Sequence, residues 1–88
     1  MDCAEKRFVY ILRSESARDR HYVGVTSNVE KRLDWHNNGP DGHTARHRPW
    51  RVIVSLQCAN ERTAQRFERY LKSGSGREFA RRHFNPDL

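Results

Sequence analysis

Five side chains of this 88-residue sequence have types and spacing suited to chemistry: Tyr10, Tyr22, Arg32, His36 and Glu68. Tyrosine hydroxyls relay or position protons, and an arginine fork clamps an oxyanion through two parallel hydrogen bonds. A histidine titrates near neutrality without help. Each residue also has a plainer reading. A tyrosine in a central strand commonly packs its ring and tethers its hydroxyl. Arg32 and His36, one helical turn apart, suit a solvated helix face. Glu68, among Arg62, Arg66, Arg69 and Lys72, suits ordinary i,i+4 pairing.

The elements that carry these residues can be read in order. Arg7 to Arg13 (RFVYILR) is apolar on both faces, with Phe8, Tyr10 and Leu12 on one and Val9 and Ile11 on the other, as expected of a central strand. A polar loop leads to His21 to Thr26 (HYVGVT), a second strand close enough to pair antiparallel with the first. It places Tyr22 and Gly24 on one face. A glycine inside a strand is justified by a bulge or by close approach of another group. Ser27-Asn28 offers an N-cap to a helix from Val29 to Asn37, which the Asn37-to-Gly42 run ends. Arg51 to Cys58 alternates Val52, Val54, Leu56 and Cys58 on one face, which predicts a third strand. Asn60 caps a helix from Glu61 to about Lys72, with Ala64, Phe67 and Leu71 as its apolar stripe and Glu68 at the edge. Ser73-Gly74-Ser75-Gly76 reads as a break, followed by a short basic helix from Arg77 to Phe84. The order β-β-α-β-α-α predicts one small α+β domain over residues 1–88, core about 7–83: a three-stranded, mainly antiparallel sheet flanked by helices.

Composition points to the partner. The net charge is +6 and the isoelectric point near 10.0. Of 17 basic residues all but Lys6, Lys31 and Lys72 are arginine, the side chain whose fork matches phosphate oxygens. The loop His43 to Trp50 (HTARHRPW) interleaves Arg46 and Arg48 with an aromatic, a pattern suited to phosphate contact and base stacking; Trp50 equally suits anchoring the third strand. With 35% hydrophobic and 32% charged residues the core must be thin. Cys3 and Cys58 form no CxxC pair, so neither a disulfide framework nor a zinc site is expected. His43 and His47 lie four apart in loop-like sequence, which disfavours a helical metal pair. The start has no apolar leader and no run reaches membrane-spanning length, so a cytoplasmic protein without membrane contact is expected. No carboxylate pair, Cys-His dyad or phosphate-cradling glycine loop is present. Spacing alone supports nucleic-acid binding and leaves catalysis open.

The order of these residues resembles a known family. FVYIL (Phe8 to Leu12), YVG (Tyr22 to Gly24), KRLxxH (Lys31 to His36) and FExxLK (Phe67 to Lys72) are together similar to the GIY-YIG nuclease domain, in particular its small stand-alone bacterial members. The same module serves the excision-repair incision subunit and some homing endonucleases. The resemblance runs from about Arg7 to His83. It implies a metal-dependent endonuclease acting on DNA, in repair or processing, with Mg²⁺ or Mn²⁺ as cofactor. Tyr10 matches the tyrosine of the first motif and Tyr22 that of the second. Gly24 matches the glycine packed beside the site, and Arg32 the helix arginine that meets the scissile phosphate. His36 falls where the family has His or Tyr, and Glu68 matches the glutamate that holds the metal. Lys72, with Arg46, Arg48 and Trp50, is expected to touch nucleic acid.

The sequence departs from the pattern in three places. The first motif reads FVY rather than GIY. Val25 stands after YVG where some relatives carry a lysine that helps activate the attacking group. Asn85 lies too far along to match a terminal asparagine seen in some relatives. A free tyrosine titrates near pH 10 and needs a cationic or metal neighbour to act as a base. The expectation is therefore that Tyr10 and His36 together surround the attacking water, with Tyr22 positioning it. Two other readings stand: a binding module without turnover, and a nuclease of single-stranded DNA or RNA. So small a domain offers little surface for reading bases, so selectivity would call for a homodimer or an accessory protein.

Overall fold

In the computed structural model, which describes residues 6–40, 42 and 44–84, strand β1 (Arg7–Ser14) lies between β2 (His21–Thr26) and β3 (Trp50–Cys58), antiparallel to both. Cys3, His43 and Asn85 fall outside the described residues. Helix α1 (Val29–Asn38) follows β2; α2 (Glu61–Leu71) and α3 (Gly74–His83) follow β3. A single 3-10 turn, Ala45–His47, interrupts the link between α1 and β3. This is the expected α+β arrangement of a three-stranded antiparallel sheet with three helices.

Both faces of β1 are covered, which is why it reads as apolar throughout. Val9 and Ile11 pack with Ala64 and Leu71 of α2, and Phe79 and Ala80 of α3 close over them. On the other face Tyr10, Leu12 and Trp50 pack with Val29 and Leu33 of α1. Removing each of these aliphatic side chains from water contributes about 1.5–3 kcal/mol, so a thin sheet covered on both sides suffices for a chain of this composition. No helix among the described residues is long and apolar enough to cross a membrane.

Local signals set the helix starts. Asn28 Oδ1 accepts from the backbone N–H of Lys31 at 3.0 Å, and Asn60 Oδ1 from that of Thr63 at 2.9 Å, each satisfying an otherwise unpaired first-turn donor. The third helix corrects the sequence reading. It begins at Gly74 rather than Arg77, capped by Ser73, whose hydroxyl accepts from Gly76 N–H at 3.2 Å. A Cβ on Gly76 would sit 1.7 Å from the carbonyl oxygen of Tyr70. The glycine therefore lets the first turn of α3 lie against the end of α2, a helical role that resembles a chain break in sequence.

Strand β3 departs from simple alternation. Ile11 faces Val54 whereas Leu12 faces Val52, a register shift that passes over Ile53. The extra residue inverts parity: Val52 packs with Tyr10 and Leu12, while Ile53 and Val54 pack with Val9 and Ile11. The expectation of one shared face for Val52, Val54, Leu56 and Cys58 is thus wrong at Val52. The shift lets β3 contribute to both cores.

Candidate active site

The register of β1 against β2 puts Tyr10 opposite Gly24 and Leu12 opposite Tyr22, so both tyrosines and the glycine share the face that α1 covers. Tyr10 is 1% exposed and Tyr22 half-buried. Their ring centroids are 6.2 Å apart. A Cβ on Gly24 would lie 2.6 Å from the Tyr10 hydroxyl oxygen and 2.9 Å from Tyr22 Cε1. The glycine is the gap that the Tyr10 phenol fills, which is the close approach its place in a strand predicts.

His36 projects from α1 into this cluster and is fully buried. Its Nε2 is 3.0 Å from the Tyr10 hydroxyl and its Nδ1 is 3.2 Å from Thr44 Oγ1. Its ring lies 4.6 Å from that of Tyr22. The histidine is therefore the buried link of a Tyr10–His36–Thr44 chain, and the solvated helix face is ruled out for it. The link after α1 is braced to hold this chain. Arg48 Nε donates to the His36 carbonyl at 2.5 Å and its Nη2 to that of Gly39 at 2.8 Å. Asn37 exchanges two hydrogen bonds with the Trp50 backbone, and Trp50 Nε1 donates to the Thr44 carbonyl at 2.8 Å.

The Arg32 guanidinium lies over the Trp35 ring at 4.3 Å from the centroid, a cation–π contact, and it draws the Tyr10 pKa down against the effect of burial. The Tyr10 hydroxyl shares a hydrogen bond with His36 Nε2, and Thr44 Oγ1 shares one with His36 Nδ1, so the imidazole links two hydroxyls.

Burial, opposed by the Arg32 hydrogen bond, pushes the Tyr10 hydroxyl up to about 12, with the nearby Tyr22 and the Glu68 charge pushing the same way and the Arg32 charge against. Tyr10 is thus protonated at neutral pH. Its folded value exceeds its unfolded value, so its contribution to stability is complete below pH 10 and lost as pH rises from about 10 to about 12. Across that window, denaturant unfolding should show the parent losing roughly 2–3 kcal/mol more than Tyr10→Phe. Equal losses in the two proteins would mean that Tyr10 is not so buried.

Glu68 sits on α2 with its side chain 23% exposed, and Lys72 Nζ holds its Oε2 at 2.9 Å. Its charge adds slightly to the rise of the Tyr10 pKa. Tyr22 and His36 thus pack directly with Tyr10, while Arg32 and Glu68 act on it electrostatically.

The expected nucleic-acid contacts divide. Arg46 and Lys72 are exposed, as such contacts require. Trp50 is 5% exposed and its indole N–H is bound to Thr44; it anchors β3 and is no platform for bases, which corrects that expectation. Arg48 is engaged by the carbonyls that end α1 and is better described as a brace than as a phosphate contact. The two arginines should separate on substitution. Arg46→Ala should weaken nucleic-acid binding and reduce the salt slope by about one at unchanged stability. Arg48→Ala should lower unfolding stability by about 2 kcal/mol. Salt-dependent binding and denaturant titration of both variants check this, and a slope change for Arg48 alone would reverse the assignment.

Thr44, Trp35 and Asn37 are missed by sequence reasoning. Trp35 carries a signal, since it lies three residues beyond Arg32 on the same helix. Thr44 carries none, because its partner His36 is reached only when the loop folds back over α1.

These neighbours can be compared with known proteins. A family model described as the GIY-YIG catalytic domain matches residues 6–83. A UPF0213 protein of Clostridium perfringens (strain 13 / Type A) is 38% identical over 66 residues, spanning 74% of this chain and 69% of that protein. Because the match runs through all three strands and all three helices, including the residues around Tyr10, this chain belongs to the GIY-YIG family, a nuclease-type fold.

Proposed function

We propose that this protein is a metal-dependent endonuclease that hydrolyses phosphodiester bonds in DNA, serving DNA repair or processing. The observation that carries the reading is the Arg32 guanidinium laid over the Trp35 ring, on the same helix as the buried His36 that binds the Tyr10 hydroxyl. A prearranged cation of this kind stabilises charge that develops on a phosphate during attack. DNA is proposed because the same module serves the excision-repair incision subunit and homing endonucleases.

Among the described residues there is no cluster of three or more His, Cys, Asp or Glu side chains, so the donors do not suit an all-protein cage. A single carboxylate fits Mg²⁺ or Mn²⁺, which binds through one or two carboxylates together with waters and substrate phosphate oxygens. Glu68 would hold such an ion, which would supply Lewis-acid charge.

The remaining roles belong to the chain. Arg32 grips the non-bridging oxygens of the scissile phosphate. Water attacks phosphorus; a new P–O bond forms, the bond to the leaving sugar oxygen breaks, and that oxygen takes up a proton. The half-buried Tyr22 faces the attacking water. Burial exchanges the expected roles of the tyrosines: Tyr10 and His36 lie behind the front, where they fix Arg32 and the Tyr22 ring. Lys72 neutralises the Glu68 carboxylate until substrate arrives and then contacts a flanking phosphate.

The test is cleavage of end-labelled DNA in Mg²⁺, Mn²⁺ and EDTA. Cleavage that stops in EDTA and returns with excess Mg²⁺ is expected. Undiminished cleavage in EDTA would remove the metal, and salt-sensitive binding with no cleavage under any condition would leave a binding module.

A further inference from the structure

Beside the candidate active site a half-open recess of about 680 Å³ lies between β2 and the α2–α3 pair. That volume falls within the roughly 300–1,000 Å³ usual for small-molecule pockets. Ile11, Val23, Ile53, Ala80 and Phe84 give it an apolar lining that includes an aromatic ring. Three cations stand at its margin, Arg20, Lys72 and Arg77, all exposed. Asp19 is the one carboxylate among the described lining residues.

The recess lies on the α2–α3 face of the sheet and meets the site at its edge: Lys72 at the margin is the residue paired with Glu68, and Tyr22, whose ring packs with His36 on the other face, borders it from β2. An apolar floor has no use for a phosphate alone, and three cations have no use for a purely apolar ligand. A nucleotide satisfies both: the base has an apolar face and the backbone carries the charge. Contact of a base with an aromatic ring contributes about 1–3 kcal/mol whatever the base. Asp19 can accept from an exocyclic amine, which adenine, cytosine and guanine possess.

We propose that this recess receives an unpaired nucleotide of the bound strand next to the scissile phosphate, its base on the apolar lining and its phosphates on Arg20, Lys72 and Arg77. The proposal rests on the nuclease reading above and sharpens its substrate. A paired base must be unstacked at a cost of a few kcal/mol, whereas an unpaired one enters without that cost. Cleavage is then favoured at frayed, branched or single-stranded positions over continuous duplex.

Two measurements test it, one independent of turnover. The first titrates the isotope-labelled protein with deoxyadenosine monophosphate, using inorganic phosphate as control, and follows backbone amide shifts. Saturable shifts at Val23, Ile53 and Ala80 with the nucleotide but not with phosphate are expected, and they should vanish in Arg20→Ala/Arg77→Ala. Both arginines are exposed, so that variant keeps the fold; Ala80→Leu, checked by circular dichroism, fills the recess directly. Identical shifts with phosphate, or nucleotide shifts confined to other surfaces, overturn the proposal. So does a concentration-dependent dimer that Ala80→Leu abolishes, since a second copy would then occupy the groove.

The second measurement compares cleavage of a duplex with that of the same duplex carrying one unpaired nucleotide. A preference of about ten-fold for the latter, lost in both variants, is expected. Cleavage with no preference and no nucleotide shifts rejects the recess while the nuclease reading stands. Nucleotide shifts in the recess with no cleavage of any substrate support the recess and reject the nuclease.

Discussion

Glu68→Ala should lower phosphodiester cleavage by roughly 10³-fold or more, equivalent to about 4 kcal/mol of transition-state stabilisation, while leaving nucleic-acid affinity unchanged or slightly raised. The direction of the binding effect follows from charge. Removing one carboxylate takes the formal net charge from +6 to one unit higher and frees Lys72 Nζ, now held at 2.9 Å by Glu68, to meet a phosphate. The fold should persist, because Glu68 lies at the margin of the stripe formed by Ala64, Phe67 and Leu71, and its partner is exposed. An exposed ion pair contributes at most about 1 kcal/mol. Steady-state cleavage and equilibrium binding on the same preparation measure the split. A variant that cuts as fast as the parent in Mg²⁺ would falsify the metal assignment.

Arg32→Ala should reduce turnover by roughly 10²–10³-fold and affinity by less than about ten-fold, since it is one phosphate contact among several on an arginine-rich surface. The asymmetry follows from how the side chain is held. Arg32 is held over the Trp35 face, and a group paid for in advance by folding acts most on the charge that appears during reaction. Arg32→Lys keeps the charge but loses the planar fork and much of the stacking on Trp35, so it should recover only part of the rate. Equal losses of turnover and affinity in Arg32→Ala would make the residue a phosphate contact and nothing more.

Sequence and structure agree where the signal is periodic. Alternation along β1 and β2 put Tyr10, Tyr22 and Gly24 on one face, and the observed register does the same. Asn28 and Asn60 announced their helices, and both cap them. The differences arise where contacts are long-range. His36 looks solvent-facing on a helical wheel; the atoms that bury it come from β1 and from Thr44. Trp50 follows two arginines in a basic loop, yet its ring completes the core over Leu12. Gly74 and Gly76 read as breakers because sequence does not reveal that α3 must start against the Tyr70 carbonyl. Val25 lies on the face that α2 and α3 cover, away from the tyrosines.

The site's chemistry was legible to a similar depth. The five candidates came from the family resemblance rather than from spacing, and their depth is visible only in the structure. Tyr10 and His36 are at 1% and 0% exposure beside a half-buried Tyr22, so in the proposed reading the pair expected around the water lies beneath it. This layering gives each aromatic residue a distinct expected consequence. Loss of Tyr22 should act on the attacking group, and loss of Tyr10 or His36 on the set of Arg32.

The central claim, that the residues gathered around Tyr10 form a metal-dependent nuclease centre, is most directly tested by a single assay. Purified parent and Glu68→Ala proteins are incubated in Mg²⁺ with end-labelled duplex, branched DNA, single-stranded DNA and RNA, and products are resolved on a denaturing gel. Cleavage of at least one DNA substrate by the parent and none by Glu68→Ala at equal binding is expected. Equal cleavage by both proteins, or binding of every substrate with no product from either, would contradict it.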